Sequence, residues 1–171
     1  MCNLAFRPHS HFAVTFWASP RDACRNGFIV LCLTGGTEVS LQRIEMKNAR
    51  LLIVDDHEIF RRGLRALLEP SSEWQICGEA VDGVDAVEQY KSLRPDIVVL
   101  DVSMPRLNGL EAARLIRKEN PESQIVIITQ HDSPQIRSAA HEAGARAFVT
   151  KSSVGSELVF ALRNLIQNHN P

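Results

Sequence analysis

The sequence predicts an α/β domain: a five-stranded parallel sheet with helices on both faces. Three observations predict it. Short apolar runs alternate with stretches in which apolar residues recur at helical spacing, and five such strand and helix pairs follow one another from residue 51 onward. The runs at 51–54, 97–100 and 125–128 are continuously apolar, the form taken by strands buried on both faces. Four strands also end on groups capable of chemistry: Asp55 and Asp56, Asp101, Thr129, and Lys151. Ligands of open parallel sheets bind in the crevice beyond the carboxyl ends of the strands, so fold class and candidate site rest on the same residues.

Each element has its own signal. After the first strand, Phe60, Leu64, Leu67 and Leu68 fall at i, i+4, i+7 and i+8, one face of a helix. A second strand at 74–80 holds Cys77 as a small buried hydrophobe. Asp82 and Gly83 open a helix carrying Val84, Val87 and Tyr90, which stops before Pro95 because the residue ahead of a proline is kept out of the α region. The third strand, 97–100, leads through a loop at 103–109 into a helix from Leu110 to about Glu119, closed by Pro121. After the strand at 125–128, Ser133 supplies an N-cap and Pro134 the first helical position. That helix buries Ile136, Ala139, Ala140 and Ala143 and ends at Gly144. The fifth strand, 147–149, precedes a helix with Leu158, Ala161, Leu162 and Leu165 on one face. Right-handed crossovers put all five strand ends at one edge.

Composition bounds the function. With 171 residues, 44% hydrophobic and 23% charged, the chain has room for one ordinary domain and an appendage. No apolar run reaches the length of a membrane span. The net charge is -1, and from residue 49 onward 14 Lys and Arg face 17 Asp and Glu, a net of -3. A nucleic-acid-binding domain would show a basic stripe, and none stands out, so direct DNA binding by this chain is not expected. Cys2, Cys24, Cys32 and Cys77 lack C-x-x-C spacing and read as reduced cytosolic thiols.

Residues 1–47 carry little periodic signal and are expected to be a poorly ordered N-terminal extension. Met46 leads straight into the first strand, so a second expectation is that it is the natural start and that the preceding residues come from a mis-set one. A metal set of Cys2, His9, His11 and Cys24 matches no usual ligand spacing. An export signal is rejected because the apolar run after Phe28 is too short.

Over about 49–168 the motifs together resemble a response-regulator receiver domain of two-component signalling. Asp55 and Asp56 resemble its acidic pair; Asp101 with Met104, Pro105 and Gly109 resembles its phosphoacceptor loop; Thr129 and Lys151 resemble its conserved-type hydroxyl and amine. The runs 53–57 and 148–153 are most similar to the NarL/FixJ-type subfamily. The resemblance implies a flavodoxin-like sheet of order 2-1-3-4-5, with 48–168 as the receiver and 169–171 as a tail. It implies that Asp101 is a phosphoacceptor, attacking a phosphohistidine on a sensor histidine kinase or phosphotransfer protein. Mg²⁺ is implied as cofactor, with Asp56, Asp101 and the Ser103 backbone carbonyl as direct ligands and Asp55 acting through water.

Thr129 and Lys151 are then phosphate-sensing residues, and Phe148 stands at the switch-aromatic position, where ordinary core packing is an equal alternative. Two departures are present: Lys151 precedes Ser152 where many receivers have proline, and Gln130 stands where a small residue is usual. Ser103, Gln130 and His131 are modulator candidates, while His57 and His131 flank a cluster that Mg²⁺ can use without them. The implied protein is a cytoplasmic switch, not a turnover enzyme, with a homodimer as one output. Two alternatives stand beside it. One is a DNA-binding regulator whose helix-turn-helix is missing, since the chain stops at Pro171, about where such a linker begins. The other is an Asp-nucleophile phosphatase, which lacks its general acid because Ser103 stands at the second position after Asp101.

Overall fold

The computed structural model describes residues 29–32, 40–43 and 48–168. The chain divides into two compact units, Met1–Lys47 and Asn48–Pro171. In the first, β1 (Ile29–Cys32) pairs antiparallel with β2 (Ser40–Arg43), Ile29 opposite Arg43 and Cys32 opposite Ser40. Cys2, His9, His11, Cys24, Met46 and the tail at 169–171 lie outside the described residues, as does the rest of the expected extension.

The second unit runs β3 (Ala49–Val54), α1 (Glu58–Leu68), β4 (Trp74–Ala80), α2 (Gly83–Leu93), β5 (Ile97–Asp101), α3 (Gly109–Glu119), β6 (Gln124–Thr129), α4 (Pro134–Glu142), β7 (Ala147–Thr150) and α5 (Val154–Asn168). Its strands are all parallel, in the order β4-β3-β5-β6-β7. This is the flavodoxin-like order 2-1-3-4-5 expected for the five.

Burial explains the continuous apolar runs. β5 and β6 are buried along their whole length, and so are the last four residues of β3. Alternate residues feed two cores, because successive strand side chains point to opposite faces. Leu52, Val98, Leu100, Ile125 and Ile127 pack with Ala86, Tyr90, Ala112, Ile116 and Ala140 from α2, α3 and α4. Leu51, Ile53, Val99, Val126 and Ile128 pack with Leu64, Leu68, Leu158 and Leu162 from α1 and α5. Ile127 is fully buried between β5 and β7, so Ile127→Ala is expected to cost about 2–5 kcal/mol, read as a lower urea midpoint. An unchanged midpoint would mean that this layer is not packed as described.

Caps fix the helix starts. The Asp82 carboxylate accepts from the backbone N–H of Val84 and Asp85, Asn108 accepts from Glu111, and Ser133 accepts from Ile136. α2 ends at Arg94 in the left-handed region, just before Pro95. Gly144, at φ +87°, follows α4 as a left-handed terminator.

Two expectations need correction. Val84 points to solvent, because the buried stripe of α2 runs through Gly83, Ala86 and Tyr90. Cys77 is only half-buried. The β3/β4 register shifts there, with Leu51 opposite Ile76 and Leu52 opposite Gly78, so Cys77 is the extra residue of a bulge. Its thiol donates to the Leu51 carbonyl at 3.3 Å, and burial pushes its pKa up.

Candidate functional site

Parallel strands share one carboxyl edge, and β3, β5, β6 and β7 each bring a polar group to it. Asp55, Asp101 and Thr129 are buried, at 1%, 2% and 1% exposure. Lys151 reaches in from the end of β7 with its side chain 9% exposed, so it is not a solvent-facing lysine. Its Nζ lies 2.6 Å from Asp55 Oδ2 and 3.1 Å from Asp101 Oδ2. The amine therefore bridges two carboxylates, where the sequence pairs it with Asp101 alone. Phe60 of α1 adds its ring 4.6 Å from Nζ, a cation–π contact.

The turn after β3 is held from several sides. Asp55 Oδ1 accepts from the His57 backbone N–H at 2.8 Å, its carbonyl accepts from Arg61 Nη1 at 2.7 Å, and its own N–H donates to Ala80 at 3.2 Å. Asp56 is more open, at 27% exposure. Among the described residues, Asp55 Oδ2, Asp56 Oδ1 and both oxygens of Asp101 accept no hydrogen bond of acceptable angle, despite the closeness of Lys151. Buried carboxylate oxygens are costly in that state. They make a hard, oxygen-rich set suited to a divalent cation.

Electrostatics follow from the burial. Desolvation, reinforced by the Asp55 charge, pushes the Asp101 carboxyl up to about 6, and Lys151 pulls it only part of the way back. For Lys151 burial opposes the charge, yet its hydrogen bond to Asp55 and the Asp101 charge prevail and hold its pKa above the usual value.

The loop after Asp101 is clamped to its neighbours. Gly109 N–H donates to the Val102 carbonyl at 3.0 Å, and a Cβ on Gly109 would stand 1.9 Å from the Asp101 carbonyl oxygen. Glycine is required there by close approach. Gly109→Ala is expected to cost about 1–3 kcal/mol by overpacking and to displace Asp101. Thermal melting checks the first effect, and an unshifted melting temperature contradicts it. Arg106, at φ +63°, ion-pairs with Asp82, the cap of α2, and the Gly83 N–H donates to the Leu107 carbonyl at 3.1 Å. Met104 is buried beneath this loop, whereas Ser103 and Pro105 are exposed.

The Thr129 hydroxyl oxygen accepts from the His131 N–H at 3.2 Å, leaving its proton free to donate. Gln130 and His131 are both exposed. Phe148 packs against the core on the α2, α3 and α4 side and remains partly exposed. The Arg137 guanidinium lies 4.5 Å over its ring and binds Asp132 through Nε at 2.6 Å and Nη2 at 2.7 Å. The peptide between Lys151 and Ser152 is trans.

Sequence reasoning passed over Arg106, Arg137 and Phe60 as site neighbours, since each is a helix or loop residue whose contact depends on tertiary approach. His57 had a signal, its adjacency to the two carboxylates, and its Nδ1 lies 2.8 Å from Asp56 Oδ1.

The family described as response regulator receiver domain matches residues 51–163. The response regulator UvrY of Escherichia coli strain K12 is 36% identical over 115 residues, 67% of this chain and 53% of UvrY. A protein-glutamate methylesterase/protein-glutamine glutaminase of Pyrococcus abyssi is 41% identical over 109 residues, 63% of this chain and 29% of that protein. The chain thus spans about half or less of the length of these relatives. The signal receiver domain of the putative response regulator NarL from Mycobacterium tuberculosis superposes with a TM-score of 0.67 at 33% identity, covering 71% of this chain and 98% of that one. Sequence, sheet order and the buried acidic edge agree, and the chain belongs to the response regulator receiver domain family, of NarL/FixJ type.

Proposed function

We propose that the chain is a phosphoacceptor switch and that Asp101 is the residue modified. The observation that carries this reading is the buried Asp101 carboxylate, whose two oxygens accept no hydrogen bond of acceptable angle while Lys151 Nζ stands 3.1 Å away. A carboxylate so placed is poorly solvated and nucleophilic. An Asp101 oxygen forms a bond to the phosphorus of a phosphohistidine on a sensor histidine kinase or phosphotransfer protein, the P–N bond breaks, and the leaving imidazole keeps the electron pair and takes a proton.

Receiver domains bind Mg²⁺ at an acidic site, and the oxygens left without hydrogen bonds here fit such an ion. Asp55, Asp56, Asp101 and the Ser103 backbone carbonyl would hold it. When bound, the cation neutralises charge building up on the transferred group. Lys151 offers its ammonium to a phosphoryl oxygen, and the Thr129 hydroxyl proton, not committed to a protein acceptor, donates to another. Drawing Thr129 inward loosens its contact with His131 and opens room for Phe148, so the face of α4, β7 and α5 changes shape. A partner or a second copy of the chain reads that face, by population shift. Gln130, exposed beside Thr129, sets access to Asp101 and hence the lifetime of the modified form.

The chain works in the cytoplasm as a switch with at most slow loss of its own phosphoryl group. The relation to UvrY, of which the chain spans 53%, favours a second reading: the receiver portion of a longer transcriptional regulator with a helix-turn-helix. A phosphatase reading finds no general acid, because Ser103 stands where one is needed. The experiment is acetyl phosphate with Mg²⁺, following both protein-bound phosphoryl and released phosphate. Labelling that saturates near one group per chain supports the switch, and many phosphates released per chain without labelling contradicts it.

A further inference from the structure

We infer that the His57 imidazole is a third protein donor of the cation site, completing a mixed carboxylate and nitrogen set that takes a borderline transition ion such as Ni²⁺, Co²⁺ or Zn²⁺. The inference rests on the acidic-site reading above and concerns which ion the site prefers. His57 occupies the N-cap position of α1, where side chains usually bind the first backbone N–H groups. Its side chain makes no capping hydrogen bond.

The ring turns toward the carboxylates instead. Nδ1 lies 2.8 Å from Asp56 Oδ1 and 3.5 Å from Asp55 Oδ1, and donor atoms of Asp55, Asp56 and His57 all lie within 4.8 Å of one another. At 2.8 Å an ordinary hydrogen bond is expected, yet Asp56 Oδ1 accepts none of acceptable angle. Nitrogen and oxygen are close without either pointing at the other. That is the relation of two ligands aimed at a common third point: neighbouring donors of an octahedral ion with bonds of 2.0–2.1 Å stand about 3 Å apart.

Two further features fit an ion there. Asp55 is 1% exposed and its Oδ2, like Asp56 Oδ1, lacks a hydrogen bond, so an inward-facing polar atom is aimed into the cluster. The His57 side chain is 62% exposed, which leaves the outer side open for an ion to enter with its waters. The donor type then decides selectivity. Mg²⁺ takes oxygen and leaves imidazole aside, whereas Ni²⁺, Co²⁺ and Zn²⁺ bind imidazole readily. Both kinds of ion need Asp55 and Asp56, so they exclude each other. The chain would then sense the supply of such metals by losing the Mg²⁺-loaded state.

Calorimetric titration of the full chain with Ni²⁺, at one fixed pH and with no phosphodonor, tests this. The quantity read is the Ni²⁺ binding that excess Mg²⁺ displaces, which sets aside ions held by other histidines and cysteines. His57→Gln and His57→Ala are compared with wild type, and His131→Gln serves as a reference. Both His57 variants should weaken this Ni²⁺ binding about tenfold, leaving Mg²⁺ affinity within about twofold and the reference unchanged. A loss of Ni²⁺ affinity smaller than about threefold overturns the inference. So does an equal loss for Mg²⁺, which makes His57 a positioning residue for the carboxylates. If wild type binds neither ion displaceably, the acidic-site reading itself fails, an outcome distinct from binding that ignores His57.

Discussion

Lys151→Met is expected to cost the fold about 3–5 kcal/mol near neutral pH, the range for removing one partner of a buried ion pair. The amine bridges Asp55 and Asp101 at 2.6 and 3.1 Å, and both carboxylates are almost wholly buried. Without it they face each other with nothing of opposite charge between. The pH dependence has a definite sign. Lys151 has a raised pKa, so its own contribution is fully present below its unfolded value of 10.5 and is lost only in alkaline solution. In the variant Asp101 titrates higher still and takes up a proton as the pH falls, so the cost is largest near about pH 7.5 and shrinks toward about pH 5. Mg²⁺ is expected to return part of the loss. Urea titrations at both pH values check this, and a variant as stable as wild type near pH 7.5 would mean that the bridge contributes nothing.

Asp101→Asn is expected to do the opposite, stabilising the fold while removing its chemistry. Asp101 has its pKa raised from 3.8 to about 6, chiefly by desolvation. Between those values the folded state holds more protons than the unfolded one, so this group's contribution falls as pH rises through the window, and the penalty is complete above about pH 6. Two units correspond to at most about 3 kcal/mol, so about 1–3 kcal/mol is expected near pH 7.5. The neutral, isosteric Asn escapes the penalty. Its advantage should vanish below about pH 4, where Asp101 is protonated in both states. In the double variant with Lys151→Met the effects should not add, because each removes a partner of the other. A thermal melt of Asp101→Asn at or below that of wild type near pH 7.5 contradicts this account.

Much of this was legible in the sequence because the signals were local. Parallel strands buried on both faces need continuous apolar runs, so residues 51–54, 97–100 and 125–128 marked the sheet, and the polar residue ending each marked the edge. Asp82, Asn108 and Ser133 capped their helices for reasons confined to one turn of chain. Side-chain direction was less legible. Val84 satisfied an apolar pattern that Ala86 and Tyr90 satisfied better, and Cys77 looked like core until the bulge turned it.

Within the site, residue types were readable and partners were not. The closer approach of Lys151 to Asp55 than to Asp101 depends on how far β3 and β5 carry their carboxylates past the sheet edge. Arg106 on Asp82, and Arg137 over Phe148, join elements from different crossovers. Those contacts are set by packing and leave no periodic trace.

The central claim is that Asp101 accepts the phosphoryl group. Incubating the full chain with Mg²⁺ and acetyl phosphate, then weighing it intact beside Asp101→Asn, tests it most directly. Wild type should gain the mass of one phosphoryl group and lose it when Mg²⁺ is chelated before the donor is added, while Asp101→Asn stays unmodified. An unmodified wild type, or an adduct that persists in Asp101→Asn, would contradict the account.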